Sequence, residues 1–195
     1  GDIKSKEIRD KPVKMAPASS LEIWSWAMFD FANSSYTTVV TTAIFNAYFV
    51  KTVASGLELS TATLYLTCSL GLANLLVVLT APVVGAIADA FAIKKRFLVV
   101  SSLACVICTA CLSLVHQGDV ALAMTLLVLS NFAFGTSEDL IAAFLPEIAT
   151  PEKMGRISAF GWTLGYIGGI AVLGACLAYV SWAQKAGQTP AQFVP

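Results

Sequence analysis

The sequence predicts an all-α membrane protein with five transmembrane helices. Of its 195 residues, 57% are apolar and only 12% are charged, whereas soluble domains average about 45–50% apolar and about 25% charged residues. A soluble domain of this size leaves roughly 30% of its surface in water, too much for such a composition, and a disordered chain needs the opposite balance. The net charge of zero lacks the basic excess of nucleic-acid-binding proteins, so no nucleic-acid partner is expected.

The charges lie in short clusters between long uncharged stretches. Asp30 is the single charge in residues 23–50, and the stretches without any charge are 59–88, 97–115, 120–137 and 157–184. A helix crosses the hydrocarbon layer with about 20 mainly apolar residues, and a backbone in lipid must be helical to satisfy its hydrogen bonds. The predicted spans are 23–50, 61–88, 97–115, 120–145 and 157–183, with Pro82 kinking the second and Pro146 ending the fourth.

The basic residues predict the orientation of these spans. If the N-terminus is cytoplasmic, ten of the twelve Lys and Arg residues fall on the cytoplasmic side, and only Lys51 and Lys185 fall on the other. Positive charge accumulates on the cytoplasmic side of membrane proteins. We therefore expect residues 1–21 to be a basic cytoplasmic segment and residues 22–195 to be a multi-pass bundle in a lipid bilayer, in a bacterial inner membrane.

Asp30 is the most informative residue of the first span. An ionisable group at this depth costs about 2.5–3.5 kcal/mol unless it faces the bundle interior or water. At about 100° per residue, Ser34, Thr37, Thr41 and Tyr48 share its helix face, with Asn33 slightly farther away. We interpret this stripe as a cavity wall; the alternative is a structural acid that bonds backbone or a Trp indole.

A second acidic group lies in the fourth span, where Glu138 and Asp139 follow Asn131 by about two turns. They lie at nearly the same predicted depth as Asp30, so the three carboxylates could share one site for a proton, a cation or a solute. No Lys, Arg or His lies within the predicted spans. The acids must therefore be protonated, hydrated or paired with cations from elsewhere.

Small residues and cysteines offer further candidates. Gly161, Gly165 and Gly169 are spaced by four, a pattern typical of closely packed membrane helices, although a pliable gate helix is also compatible. The CxxCxxC run at Cys105 lacks a fourth metal ligand, so it indicates small apolar packing. We expect no metal, no cofactor and no enzymatic activity.

Four segments of the sequence resemble the major facilitator superfamily. The loop GAIADAFAIKKR, which contains Gly85, Asp89, Lys94, Lys95 and Arg96, is similar to its signature loop, although Ala90 and Ala92 replace a common basic residue and a common Gly. More specifically, the chain is similar to the vacuole effluxer-like branch in segments that occur in the same order as in that branch. These are WAMFDFANSSY (26–36), FLPEIA (144–149) and GRISAFGWTLGYIGG (155–169). Ile141 and Ala142 depart from that branch, and the superfamily's arginine in the fourth helix is absent.

The resemblance implies a secondary active transporter of small solutes such as amino acids, which works by alternating access and is coupled to protons. It implies that the chain supplies five helices of the N-terminal six-helix bundle, with residues 184–195 leading to a sixth. In the family the loop Asp pairs with the other half of the transporter and latches the cytoplasmic gate; a solvated loop acid is the alternative. The partner would be the C-terminal half of the same transporter or another subunit. The competing hypothesis is a transporter-derived structural subunit of a larger membrane complex that no longer moves solute.

Overall fold

Five helical rods, α1 to α5, form the computed structural model, which describes residues 19–189. No strand occurs within this described part of the chain. The rod α1 covers residues 20–53, and the others are α2 (Leu59–Ala90), α3 (Lys94–Cys111), α4 (Val120–Ala142) and α5 (Pro151–Lys185). The predicted basic segment 1–21 lies almost wholly outside the described residues.

Rod α1 alternates between α-helical and π-helical turns. A capping box of Ser19 and Glu22 opens its first α segment, Ser20–Tyr36. The π segment Thr37–Ala43, the α segment Ile44–Tyr48 and the π segment Phe49–Val53 follow without a break. The first π segment contains TTVVTT (37–42), a run of β-branched residues, which crowd the turns of a regular α-helix.

Four of the predicted spans coincide with helices that are long and apolar enough to cross a membrane. These helical stretches are Leu59–Ala90, Lys94–Leu114, Val120–Ile148 and Pro151–Lys185. The second and third include the short helices that follow α3 and α4, Leu112–Leu114 and Leu145–Ile148. Each contains most of its predicted span and extends or shifts the ends by a few residues. The first predicted span lies inside α1, whose segments are individually shorter, so its membrane crossing stays a prediction. The fold class, an all-α membrane protein, is confirmed.

The predicted end of the fourth helix at Pro146 is wrong. Helix α4 ends at Ala142, and Pro146 lies in the first turn of a separate short helix, Leu145–Ile148. Proline suits the first turn because the amide hydrogen it lacks would have no helical partner there. At Pro82, α2 runs on as one continuous helix to Ala90.

The rods pack in two groups. Rod α1 lies along α5, while α4 lies between α2 and α3 and contacts both. Tyr36 joins the groups: its hydroxyl lies 2.8 Å from Ser130 Oγ, and its ring stacks on Phe134 with centroids 4.8 Å apart. Beyond it, Tyr48 donates a 3.2 Å hydrogen bond to the carbonyl of Val115. These contacts hold α1 against α3 and α4.

Many large apolar side chains point outward. On α2, Leu72, Leu75, Val78 and Leu79 are each at least half exposed. In water such a surface would be a site of aggregation or association, whereas lipid tails solvate it. The outer surface therefore agrees with a multi-pass membrane protein.

Candidate functional site

A pocket of about 340 Å³ opens between α1, α4 and α5, and we call it the acid pocket. Rod α1 supplies Asp30, Ser34, Thr37 and Thr38, and α4 supplies Glu138. The wall from α5 consists of Trp162, Gly165, Tyr166, Gly169, Ile170 and Leu173. The structure thus brings together two of the predicted carboxylates with three hydroxyl groups of α1 and the phenol of Tyr166.

Glycines of α5 make room for the polar side chains of α1. A Cβ atom at Gly165 would lie 2.7 Å from Asp30 Oδ2 and 2.8 Å from Ser34 Oγ, and one at Gly169 would lie 2.7 Å from Thr38 Oγ1. Gly161 faces the ring of Trp26 in the same way. The predicted glycine stripe therefore lies at the α1–α5 contact, and two of its members, Gly165 and Gly169, form part of the pocket wall.

Asp30 has no hydrogen-bond or ion-pair partner within residues 19–189. The nearby indole of Trp26 donates instead to the carbonyl of Ile141, at 2.9 Å. The structural alternative, in which Asp30 bonds a Trp indole or the backbone, is therefore not the arrangement seen. The carboxylate is left available on the pocket wall.

Within the described residues, Glu138 accepts a hydrogen bond from a single side chain, through the amide nitrogen of Asn33. Because Asn33 is three residues after Asp30 on α1, this bond brings the two acids into one pocket across the α1–α4 contact. Asn33 itself also lines a larger groove of about 790 Å³ between α1, α3 and α5. That groove is mainly apolar, and no carboxylate is among its lining residues in the described part of the chain, so we assign the polar chemistry to the acid pocket.

Two predicted site residues lie elsewhere. Asn131 is buried and donates to Asn74 Oδ1 of α2 at 3.3 Å. Asp139 lines a separate pocket with Asp89 and Lys94. The expectation that all three carboxylates share one site is wrong for Asp139, because adjacent residues on a helix point about 100° apart.

The predicted polar stripe of α1 also ends early. Thr41 donates to the carbonyl of Thr37, and Tyr48 reaches the α3–α4 loop at Val115. The predicted stripe assumes a regular α-helical period along α1. The π segment Thr37–Ala43 interrupts that period and rotates the side chains that follow. Thr38, which the projection omits, lines the acid pocket instead.

The signature loop forms an ionic cluster at one end of the bundle. We call this end, where Lys94, Lys95 and Arg96 lie, the basic end. Lys94 Nζ lies 2.7 Å from Asp89 Oδ1 and 2.6 Å from Glu147 Oε1. Lys95 and Arg96 are exposed, and Gly85 lines the pocket that Asp89 shares with Asp139. The cluster ties the α2–α3 loop to the short helix after α4.

Sequence reasoning missed Glu147, although it lies inside the FLPEIA motif. An acid that closely follows a membrane helix, on the same side as a basic loop, is a usable signal for such a link. It also missed Trp162 and Tyr166 of the acid pocket, which alternate with the glycine stripe along α5.

The fold and the comparisons with known proteins together identify the family of this chain. Its long, outwardly apolar helices define a polytopic α-helical membrane protein. Residues 4–173 match the Major Facilitator Superfamily, and the chain belongs to that family. It is 32% identical over 145 residues to the uncharacterized MFS-type transporter YxiO of Bacillus subtilis (strain 168), a match that covers 74% of this chain and 34% of the relative. The chain thus spans about a third of that relative's length, and no solved structure matches it significantly.

Proposed function

We propose that this chain is part of a secondary active transporter that moves a small solute across a membrane by alternating access. The observation that carries the proposal is the acid pocket, in which Asp30 has no partner among residues 19–189 and Glu138 has one neutral donor. Ionisable groups inside a membrane bundle are costly, so they mark ion, proton or solute sites. Membership of a transporter superfamily supports the same conclusion.

Proton coupling is the simplest role for these carboxylates. Among the residues that the structure describes, the lining of the acid pocket contains no basic side chain, so its acids can change charge by binding and releasing protons when no cation is bound. The resemblance to the vacuole effluxer-like branch makes amino acids the first solutes to test. Ser34, Thr37 and Asn33 supply neutral polar contacts.

The ionic cluster at the basic end supports a role in gating. Lys94 holds both the loop acid Asp89 and Glu147 of the short helix, so a movement of α2 against α4 must break or exchange these pairs. We assign the basic end to the cytoplasmic side of a bacterial inner membrane and place the N-terminus on the same side. The other half of the transport path is supplied by the C-terminal half of the same protein or by a partner subunit. A non-transporting structural subunit is not favoured, because side chains leave the acid pocket open.

Uptake into proteoliposomes tests the proposal. With an inward proton gradient and a radiolabelled mixture of the standard amino acids, the parent protein should accumulate label, and Asp30→Asn should abolish the accumulation. Glu58→Gln, which removes an exposed loop carboxylate next to α2, should leave uptake unchanged. Equal uptake by Asp30→Asn at all pH values would contradict the role of Asp30.

A further inference from the structure

Two aromatic side chains form the wall of the acid pocket on α5. Trp162 and Tyr166 lie one turn apart, with ring centroids 6.3 Å apart and planes at 68°. They are 65% and 66% exposed, so neither ring is covered by packing within the described chain. The faces of Trp and Tyr rings attract organic cations. Ile170 and Leu173 continue the same wall with apolar surface.

The opposite wall is acidic and has no cation of its own. Asp30 and Glu138 line the pocket together, and no Lys, Arg or His is among the lining residues that the structure describes. Both carboxylates are only half-buried, but an ionisable group inside a membrane bundle is costly and needs a proton or a polar or charged partner. A positively charged ligand would supply that partner to both acids.

A metal ion fits this pocket poorly. Hard divalent cations require about six or more oxygen ligands, mostly carboxylates and carbonyls. No group of three or more His, Cys, Asp or Glu residues that could hold a metal occurs in residues 19–189. The volume of about 340 Å³ falls at the lower end of pockets that bind small organic molecules.

We propose that the acid pocket binds the ammonium group of an organic amine, with the nitrogen at Asp30 and Glu138 and the apolar body against Trp162 and Tyr166. The inference rests on the proposed transport function and names the chemical class of the solute. A free carboxylate on that solute would face two acids without a cation in the lining. The pocket therefore binds the amine more tightly than the zwitterion of an amino acid, whose ammonium group it still accepts, and it does not bind the corresponding acid.

Binding of three matched probes tests this selectivity. Isothermal titration of the protein in lipid nanodiscs would use 2-phenylethylamine, phenylalanine and 3-phenylpropionate, which share an aromatic body and differ in charged groups. The amine should bind more tightly than phenylalanine, and 3-phenylpropionate should not bind. Absence of amine binding, or equal or tighter binding of either other probe, would overturn the inference.

Two variants and two controls assign the binding to the acid pocket. Asp30→Asn should weaken 2-phenylethylamine binding roughly 10- to 100-fold, and Trp162→Leu should weaken it about 3- to 10-fold. Glu58→Gln and Trp182→Leu, which alter an exposed acid and an exposed Trp outside the pocket, should bind as the parent does. Unchanged affinity in the pocket variants would refute the assignment. If Asp30→Asn fails to fold, Trp162→Leu decides alone.

The titration requires no gradient and no transport, so the two proposals fail separately. Amine binding without any uptake in proteoliposomes would contradict transport and retain the ligand class. Proton-driven uptake that depends on Asp30, together with no amine binding, would retain transport and overturn the ligand class.

Discussion

Gly168 and Gly165 both face α1, but Gly168 faces its backbone and Gly165 faces its polar side chains. Substitution of Gly168 should therefore affect mainly stability, and substitution of Gly165 mainly ligand binding. A Cβ atom at Gly168 would meet the backbone of Phe31, 3.0 Å from its carbonyl carbon. At Gly165 the nearest atoms are the ends of the Asp30 and Ser34 side chains, which can rotate away. The first contact can be relieved only by moving a helix, whereas the second changes the acid pocket.

We predict that Gly168→Ala lowers the free energy of unfolding by about 1–3 kcal/mol, as overpacking of a close interface does. Gly165→Ala should cost less stability but should weaken ligand binding, since it displaces Asp30. Gly174→Ala, which has open space around it, is the matched control and should raise the free energy of unfolding by about 0.5–1 kcal/mol, because Ala is the better helix former. Thermal unfolding in detergent measures the three. Equal stability of the Gly168 and Gly174 variants would contradict the close approach of α1 and α5.

Ala92 carries a local backbone cost. Its φ of 53° is in the left-handed region, which costs an L-residue roughly 1–2 kcal/mol. This is the position at which the signature loop commonly has Gly. Ala92→Gly should therefore raise the unfolding midpoint, while Ala90→Gly, in the last turn of α2, should lower it because Gly is a poor helix former. A lower midpoint for Ala92→Gly would show that the loop conformation is different.

At the scale of elements, the α2–α3 loop and the short helix Leu145–Ile148 are joined by one lysine. Lys94 is the better buried member of the cluster, with 19% of its side chain exposed, against 49% for Glu147. Ion pairs with this degree of exposure contribute little individually. Their importance lies in connecting two helix ends that must move relative to each other if the bundle rocks.

A double-mutant cycle between Lys94→Gln and Glu147→Gln measures this link. We expect a coupling energy of about 0.2–1 kcal/mol in the free energy of unfolding, which decreases as salt screens the charges. The same cycle with Lys95→Gln in place of Lys94→Gln is the control, because Lys95 is exposed and outside the ion pairs. Coupling of the same size in both cycles would mean that the Lys94–Glu147 contact is not specific.

At the scale of the whole molecule, the loop after α1 and the α3–α4 loop meet at one end of the bundle. Gln117 Nε2 donates to Ser55 Oγ at 2.9 Å, and the amide of Gly118 donates to the carbonyl of Val53 at the same distance. The basic end lies at the other ends of α2 and α3. These hydrogen bonds predict that the loop after α1 and the α3–α4 loop lie on the same side of the membrane, opposite the basic end.

Cysteine labelling tests that prediction of topology. In a background without the five native cysteines, Gly56→Cys and Gln117→Cys should react with an impermeant maleimide added to intact cells. Lys95→Cys should react only after the cells are permeabilised. Labelling of Gly56→Cys and Gln117→Cys from opposite sides would exclude the predicted path of the chain.

The fold class and the approximate positions of α2 to α5 could be predicted because lipid imposes a strong pattern along the chain. Every span must be about 20 apolar residues long and helical, so α2 to α5 are visible as uncharged stretches. Asp30 and Glu138 are equally visible as exceptions to that pattern. The sequence alone could not show that Asp30 and Glu138 line the same pocket. Glu138 and Asp139 lie at nearly the same predicted depth, so the sequence does not indicate which of the two faces Asp30.

The order of residues along the chain is enough to predict an apolar bundle of helices with carboxylates inside it and a basic loop at one end. Only the packing of the helices shows that Glu138 lines a pocket with Asp30 while Asp139 lines one with Asp89, that Lys94 pairs with Glu147, and that α5 supplies the aromatic wall. The physical reason is that burial depth depends on local composition, whereas the direction a side chain faces depends on helix rotation. That rotation is set by contacts between helices far apart in sequence and, in α1, by the π turns of Thr37–Ala43.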